Sequence, residues 1–198
     1  MQQIIHDLTY MPKGHTGHLC PTKPVVDAWR EFYRIFPFTN ILEFGFNTGW
    51  SSALFLTMFP DVRVTSIEIM KIDRSKQGAE ILQKIFAGRH KIVWGDSQQI
   101  ADEVIHGKRK LPDSKYDLSF IDGGHWPAIV QKDIELALHI GIKNFVFDDA
   151  DHPNIKPGIE KYQQLKLVKT LPYCDTKYKI KGFKITNRIN NLCYYQVS

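Results

Sequence analysis

The fold of this chain is decided by residues 41–51, which read Ile41-Leu-Glu-Phe-Gly-Phe-Asn-Thr-Gly-Trp-Ser51. An apolar run ends in an acid and a glycine, and a second apolar segment opens after Gly49. This order predicts a buried strand, a tight glycine turn and the first turn of a helix. Such a turn presents backbone N–H groups to an anionic or nucleotide-like ligand.

A second acid closes the next strand-like run, from Val62 to Glu68. A carboxylate roughly 20 residues beyond a glycine turn suits the hydroxyls of a ribose. A nicotinamide-dinucleotide fingerprint requires small residues where this chain has Asn47 and Trp50, and the indole of Trp50 would clash at a close contact between helix and strand. An oxidoreductase of that class is therefore disfavoured.

Apolar runs and amphipathic segments alternate along most of the chain. This alternation predicts an α/β, Rossmann-like, doubly wound sheet with helices on both faces. The predicted strands cover 40–44, 62–67, 90–94, 116–121 and 143–147. The predicted helices cover 24–36, 50–59, 73–87, 97–106, 127–140 and 155–165. Alternating polar and apolar residues over 178–186, with a return over 192–197, predict a C-terminal β-hairpin.

Length and composition narrow the class of protein. A chain of 198 residues fits one domain, expected to span 1–198, with residues 1–21 forming an N-terminal arm or lid. No apolar run approaches the roughly 20 residues of a membrane helix, so no membrane partner is expected. Three widely spaced cysteines indicate a reducing, cytoplasmic setting.

The positive charge is concentrated near the C-terminus. Residues 151–198 hold nine Lys and Arg against three acids, within a chain of net charge +5. Such an excess suits an anionic substrate, nucleic acid included. The lysines lack aromatic interleaving, which favours a solvated basic surface over a nucleic-acid site.

Acidic side chains follow the predicted strands at the edge where open α/β sheets bind ligands. They are Glu43, Glu68, Asp96, Asp122, Asp148 and Asp149. Charged residues that close apolar runs are costly unless they are solvated or paired. Three of them, Asp122, Asp148 and Asp149, would repel one another without a cation, which predicts a Mg²⁺ site there.

These motifs resemble those of the class I S-adenosylmethionine-dependent methyltransferases, particularly the small O-methyltransferases of the catechol type. Members of that group carry Glu-x-Gly-x-x-x-Gly-x-Ser, matched here by Glu43, Gly45, Gly49 and Ser51. The resemblance continues through segments 67–69, 94–98, 120–126 and 147–149 and covers about residues 40 to 162. It implies a mostly parallel, seven-stranded sheet that ends in an antiparallel hairpin.

The resemblance also implies roles for individual residues. Glu68 would hold the ribose hydroxyls of S-adenosylmethionine, and Ile69 would pack on the adenine. Asp96 and Ser97 would lie near its exocyclic amine. The methionine moiety would lie on the Gly45–Gly49 loop, which includes Phe46 and Asn47, and on Ser51. Glu43 would partner the loop N–H groups or the amino group. In the relatives, acids or amides matching Asp122, Asp148 and Asp149 bind Mg²⁺, which orients two substrate oxygens.

The sequence departs from the catechol enzymes at the catalytic base. Those enzymes follow the metal-binding aspartate with His-Trp-Lys, whereas here Gly123 and Gly124 precede His125 and no lysine appears until Lys132. The form Asp-Gly-x-His resembles sugar- and antibiotic-modifying O-methyltransferases. We therefore expect His125 and Asp122 to be catalytic, with His152 as the competing base.

The expected function is methyl transfer to a small-molecule hydroxyl, assisted by Mg²⁺. A methyltransferase acting on RNA or another polyanion is the first alternative, which the basic C-terminal third favours. A non-catalytic S-adenosylmethionine-binding protein is the second.

Overall fold

The computed structural model describes residues 23–69, 72–174 and 189–198. Its helices are α1 (Lys23–Ile35), α2 (Trp50–Met58), α3 (Asp73–Ile85), α4 (Ser97–Ile105), α5 (Pro127–His139) and α6 (Lys156–Glu160). Its strands are β1 (Asn40–Phe44), β2 (Arg63–Glu68), β3 (His90–Trp94), β4 (Leu118–Ile121), β5 (Asn144–Phe147), β6 (Leu165–Cys174) and β7 (Ile189–Val197).

The seven strands form one sheet in the order β3-β2-β1-β4-β5-β7-β6. Strands β1 to β5 are mutually parallel, while β7 pairs antiparallel with both β5 and β6. The carboxyl ends of the five parallel strands therefore meet at one edge. The predicted doubly wound sheet with an antiparallel C-terminal pair is confirmed.

The predicted boundaries of the first five strands and of helices α1 to α5 agree with the structure to within about two residues. The last helix was predicted too long, because α6 ends at Glu160 and Leu165 already begins β6. The strand that pairs with β7 is accordingly 165–174. The predicted hairpin strand over 178–186 and the predicted arm over 1–21 lie outside the described residues.

Each central strand supplies side chains to two separate cores, because successive residues of a strand point to opposite faces. Ile41 packs with α1 and α2 on one face, whereas Leu42 packs with α4 and α5 on the other. The first core centres on Trp29, whose ring meets Phe55 and Phe120 edge to face at centroid distances of 4.4 and 5.3 Å. None of the described helices is long and apolar enough to cross a membrane.

A polar network is buried between β1, β2 and α2. The Glu43 carboxylate is fully buried and accepts hydrogen bonds from the hydroxyls of Ser51, Ser52 and Ser66. The Ser66 hydroxyl also lies 3.1 Å from Nε2 of the buried His90. Burial raises the pKa of Glu43, and the three serine hydroxyls oppose that rise. The network therefore allows the acidic side chain of Glu43 to lie in the core near the end of β1.

His90 should make the protein sensitive to mild acid. Burial lowers the pKa of His90 to about 4, so its imidazole is neutral in the folded protein at neutral pH. An unfolded histidine has a pKa near 6.5, so the unfolded chain takes the proton first as pH falls. This contribution to stability is complete above pH 6.5 and is lost by about pH 4, with an upper bound of roughly 3 kcal/mol.

Urea titrations between pH 7 and 4.5 test this expectation. The His90→Gln variant should lose less unfolding free energy over that interval than the wild type, by about 2 kcal/mol. The exposed His139 on α5 supplies the control, because His139→Gln should follow the wild-type profile. Parallel profiles for wild type and His90→Gln would contradict a neutral buried imidazole.

Candidate active site

The turn between β1 and α2, residues 45–49, approaches a neighbouring strand end very closely. Gly45, Asn47 and Gly49 have positive φ angles of 92°, 49° and 88°. A Cβ atom placed on Gly45 would lie 2.3 Å from the carbonyl oxygen of Asp122. Only glycine permits that approach, so the turn (hereafter the glycine loop) lies directly against the end of β4.

Glu68, at the end of β2, holds the glycine loop. Its Oε2 accepts the backbone N–H groups of Phe46 at 3.0 Å and of Asn47 at 2.6 Å. Of the two partners expected for Glu43, the loop N–H groups or the amino group of the cofactor, the N–H groups of Phe46 and Asn47 are taken by Glu68. Glu43 instead faces α2 and binds the three serines, because it shares the face of β1 that carries Ile41.

The side chains of Phe46 in the glycine loop and of Ser51 just beyond it are turned into the interior of the protein. The ring of Phe46 is buried and stacks on His90 at a centroid distance of 5.2 Å. The Ser51 hydroxyl is likewise turned inward, toward Glu43. Any contact of Phe46 or Ser51 with a ligand must therefore come from the backbone in this arrangement. Asn47 is half-buried.

The predicted adenine side lies where β2 and β3 end. Ile69 follows Glu68 and is 64% exposed, which is unusual for an aliphatic side chain beside a buried strand. The N–H of Gly95 donates to the backbone carbonyl of Glu68 at 2.9 Å, which brings the end of β3 beside it. Asp96 then caps α4 by accepting the N–H of Gln98 at 3.0 Å, and Ser97 is half-buried at the first turn.

Three carboxylates lie where β4 and β5 end. Asp148 and Asp149 are almost fully buried, and Asp149 has a positive φ of 53°. Burial raises the pKa of Asp122 well above its usual range, and repulsion from Asp148, Glu43 and Asp149 adds to that rise. Among the described residues, however, no three His, Cys, Asp or Glu side chains form a ready metal-ligating group.

Two histidines face each other beside these acids. His125, in the loop between β4 and α5, and His152, after β5, have ring centroids 5.3 Å apart. Nδ1 of His152 accepts the N–H of Asn154 at 3.2 Å. Trp126, next to His125, is 66% exposed. The structure thus brings both candidate bases to the same edge of the sheet as Asp122.

Sequence reasoning missed several residues that shape this site, namely Ser52, Ser66, Gly78, His90 and Asp133. Gly78 lies in the middle of α3, where a Cβ atom would stand 2.2 Å from the carbonyl oxygen of Thr48 in the glycine loop. An isolated glycine in a helical pattern was the available signal. Its meaning depends on which backbone the helix approaches, which the sequence does not state.

Comparison with known proteins agrees with this geometry. A family model described as a methyltransferase domain matches residues 42–148. No curated protein sequence matches the chain significantly. Among the solved structures that are similar to this chain are the following three, all at low sequence identity.

A candidate O-methyltransferase from Klebsiella pneumoniae has a TM-score of 0.66 at 17% identity, over 99% of this chain and 88% of its own. The O-methyltransferase TomG from Streptomyces achromogenes, solved with S-adenosylmethionine, has a TM-score of 0.63 at 16% identity, over 98% of this chain and 95% of its own. A candidate RNA methyltransferase from Pyrococcus horikoshii has a TM-score of 0.65 at 13% identity, over 99% and 97%. At such identities these likenesses establish the fold alone.

The sheet order and the glycine loop closed by a β2 acid define the class I, S-adenosylmethionine-dependent methyltransferase fold. The chain belongs to the methyltransferase domain family.

Gly78 supplies a test of the packing behind the glycine loop. Gly→Ala in a helix interior ordinarily stabilises a protein by about 0.5–1 kcal/mol. Here the added methyl group would force α3 away from the carbonyl of Thr48, so we expect Gly78→Ala to destabilise by roughly 1–3 kcal/mol. Urea unfolding measures the change. The exposed neighbour Gln77 gives the control, since Gln77→Ala should change stability by less than about 0.5 kcal/mol. A stabilised Gly78→Ala variant would refute the close approach.

Proposed function

We propose that this protein transfers the methyl group of S-adenosylmethionine to a hydroxyl group of a small molecule. The observation that carries the proposal is the Glu68 carboxylate. It accepts two backbone N–H groups of the glycine loop and holds that loop close to Ile69 and the first turn of α4. The acids and histidines where β4 and β5 end lie along the same edge. Donor and acceptor sites would therefore be neighbours.

The cofactor half of the proposal rests on complementary chemistry. Exposed Ile69 offers an apolar surface to an adenine, and the half-buried Ser97 offers a hydroxyl to its amine. The N–H groups in the first turn of α2 point out of the N-terminal end of that helix, next to the glycine loop. Such an end favours an anion, here the carboxylate of the methionine moiety. TomG, which shares the fold, was solved with S-adenosylmethionine.

The acceptor half assigns the proton to His125. S-adenosylmethionine supplies an electrophilic methyl group on its sulfonium when bound. The acceptor oxygen attacks that carbon in line, so a C–O bond forms as the C–S bond breaks, and His125 takes the hydroxyl proton. Holding the two reactants in line supplies much of the rate.

A small acceptor is favoured over RNA by the charges around the cleft. The side chains that follow β4 and β5 at this edge are the carboxylates of Asp122, Asp148 and Asp149, whereas a nucleic-acid backbone is bound mainly through Lys and Arg. Several basic side chains of the described C-terminal part are engaged locally. Lys169 pairs with Glu31, and Lys161 donates to the Gln131 side chain at 3.0 Å. RNA remains the second candidate, supported by the overall basic charge and by the likeness to the Pyrococcus horikoshii protein.

The Mg²⁺ part of the proposal is supported by the kind of ligand atoms that the three acids offer. Carboxylate oxygens are hard ligands that Mg²⁺ prefers, and a cation would relieve the repulsion that raises the pKa of Asp122. The described residues form no ready three-ligand group. Asp122, Asp148 and Asp149 would hold the ion, which would lower the pKa of the acceptor hydroxyl.

Calorimetry with S-adenosylhomocysteine tests the cofactor. The wild type should bind it and should not bind NAD⁺. Glu68→Ala removes a charged acceptor whose hydrogen bonds are each worth about 1.5–3 kcal/mol, so affinity should fall at least about tenfold. Glu80→Ala, at an exposed acid of α3, is the control and should bind as the wild type. Tight NAD⁺ binding, or unchanged affinity in Glu68→Ala, would reject the cofactor assignment.

Chelation tests the metal. Excess EDTA should abolish methyl transfer to the acceptor while leaving S-adenosylhomocysteine binding largely intact, because the three acids lie on the acceptor side. Asp149→Asn should mimic the chelator, and added Mg²⁺ should restore the EDTA-treated wild type. Full activity in excess EDTA would reassign these acids to turn and cofactor contacts.

Single-turnover kinetics test the base. Methyl transfer should accelerate with pH through one transition, since an imidazole must be neutral to accept a proton. In His125→Ala that transition should vanish and the rate should fall by roughly 10²–10⁴. His152→Ala is the matched variant and should retain most of the rate. The reverse pattern would move the base to His152. Cofactor binding without transfer to any acceptor would favour a non-catalytic binding protein.

A further inference from the structure

The edge of the sheet opposite the proposed active site is rich in basic side chains. The segments that lead into β2 to β5, taken with the first two residues of each strand, are 59–64, 86–91, 106–119 and 140–145. They hold eight Lys and Arg against three Asp and no Glu. Because β1 to β5 are mutually parallel, these segments meet at one edge, hereafter the amino edge. Methyl transfer at the carboxyl edge makes no use of this charge.

Five of these basic side chains are exposed and make no ion pair with another residue of the described ranges. They are Arg63, Lys108, Lys110, Lys115 and Lys143. Several exposed lysines of the helices differ from them, because Lys23, Lys76 and Lys156 each pair with an acid three or four residues away. The amino edge therefore presents five cationic groups to the solvent.

Two of the three acids of the amino edge are engaged by other groups. Asp113 pairs with Lys91 at 2.7 Å. Oδ2 of Asp117 accepts the backbone N–H groups of Thr39 and Asn40 at 2.9 and 3.0 Å. These contacts hold both carboxylates at the strand starts, so they do not neutralise the five exposed cations.

The segment that carries three of the five cations, 106–117, is tied down at both ends. The N–H groups of Lys108 and Arg109 donate to the Glu103 carbonyl at 2.7 and 3.1 Å. The N–H of Asp113 donates to the Tyr116 hydroxyl at 3.2 Å. The cations of this segment are therefore presented from a backbone of defined shape.

The five cations extend over the width of four neighbouring strands. Arg63 begins β2 and Lys143 directly precedes β5, with β1 and β4 between them. Strands of a sheet lie about 4.8 Å apart, so these two backbone positions are about 14 Å apart. A nucleic-acid strand carries one phosphate charge per roughly 3.4 Å of helix axis, or about four over this distance. The spacing therefore suits a row of phosphates better than a single anion.

The apolar side chains of these segments narrow the class of polyanion. None of the large hydrophobic side chains that the described structure exposes belongs to them. The edge therefore lacks aliphatic groups that could enter a bilayer and exposed aromatic rings on which unpaired bases could stack. A duplex requires neither, since its phosphates lie outside and its bases are already stacked.

We propose that the amino edge binds the phosphate backbone of a double-stranded nucleic acid, irrespective of base sequence. The duplex is a partner and not the methyl acceptor, because the proposed reacting groups lie at the other end of the strands. The two edges are separated by the length of the strands, which is about 13 Å for the four residues of β4. Binding at the amino edge leaves the cleft open and holds the protein beside nucleic acid.

Fluorescence anisotropy with a labelled DNA duplex of about 20 base pairs tests the proposal. The wild type should bind with a Kd on the order of 10⁻⁶ M at low salt, and log K should fall with log[salt] at a slope of about −4 to −5 for five phosphate contacts. Combining Lys108→Glu, Lys110→Glu and Lys115→Glu should weaken binding at least about tenfold and make the slope shallower by about 3. Arg63→Glu with Lys143→Glu changes two other segments, should make the slope shallower by about 2, and serves if the triple variant fails to fold.

The matched control combines Lys23→Glu, Lys76→Glu and Lys156→Glu, because it has the same net charge as the triple variant. It should bind the duplex within about threefold of the wild type, since its changes lie away from the amino edge. An equal loss in the control, or unchanged binding in the folded amino-edge variants, would overturn the inference. So would a wild type that does not bind the duplex at low salt, methylation of the duplex when S-adenosylmethionine is added, or tighter binding to vesicles of phosphatidylserine and phosphatidylcholine than to the duplex.

Discussion

The architecture of this site depends on one interaction, the acceptance of two backbone N–H groups by the Glu68 carboxylate. In the glycine loop between β1 and α2, the N–H of Gly45 donates to the Ile67 carbonyl of β2, and the N–H of Gly49 donates to the Phe46 carbonyl. Oε2 of Glu68 takes those of Phe46 and Asn47 and so ties the end of β2 to the loop. The loop is thereby held against Asp122 on one side, where Gly45 allows contact, and against α3 on the other, where Gly78 does. These contacts together form the cradle in which the proposed cofactor would lie.

Burying Glu43 beneath the cradle costs free energy, which other residues offset. Glu43 lies near the end of β1 in the core, where an isolated charge would be strongly destabilising. Three serine hydroxyls surround the carboxylate, and one of them also contacts His90, which burial keeps neutral. The network joins β1, β2, β3 and α2 beneath the loop. The same acids that define the site therefore also determine how its supporting strands pack.

The sequence predicted the sheet and the position of the cleft because both follow from periodicity and from acids at strand ends. It did not predict β6, because Lys166, Lys169 and Pro172 interrupt the apolar pattern over 165–174, whereas 178–186 alternates strictly. Glu68 accepts the two loop N–H groups for which Glu43 was one expected partner, since which carboxylate reaches a given N–H depends on the face of the strand that carries it. Gly78 and Asp133 resemble ordinary helical residues until α3 and α5 are packed on the sheet. A single sequence contains no information on those approaches.

A crystal structure of the protein grown with S-adenosylhomocysteine tests the central claim most directly. The account predicts the adenine between Ile69 and Ser97, the ribose beside the end of β2, and the homocysteine over the glycine loop. The sulfur should then point toward His125 and the ends of β4 and β5. A ligand bound away from the carboxyl edge of the sheet, or an empty cleft at saturating ligand with the loop still tied to Glu68, would contradict the account.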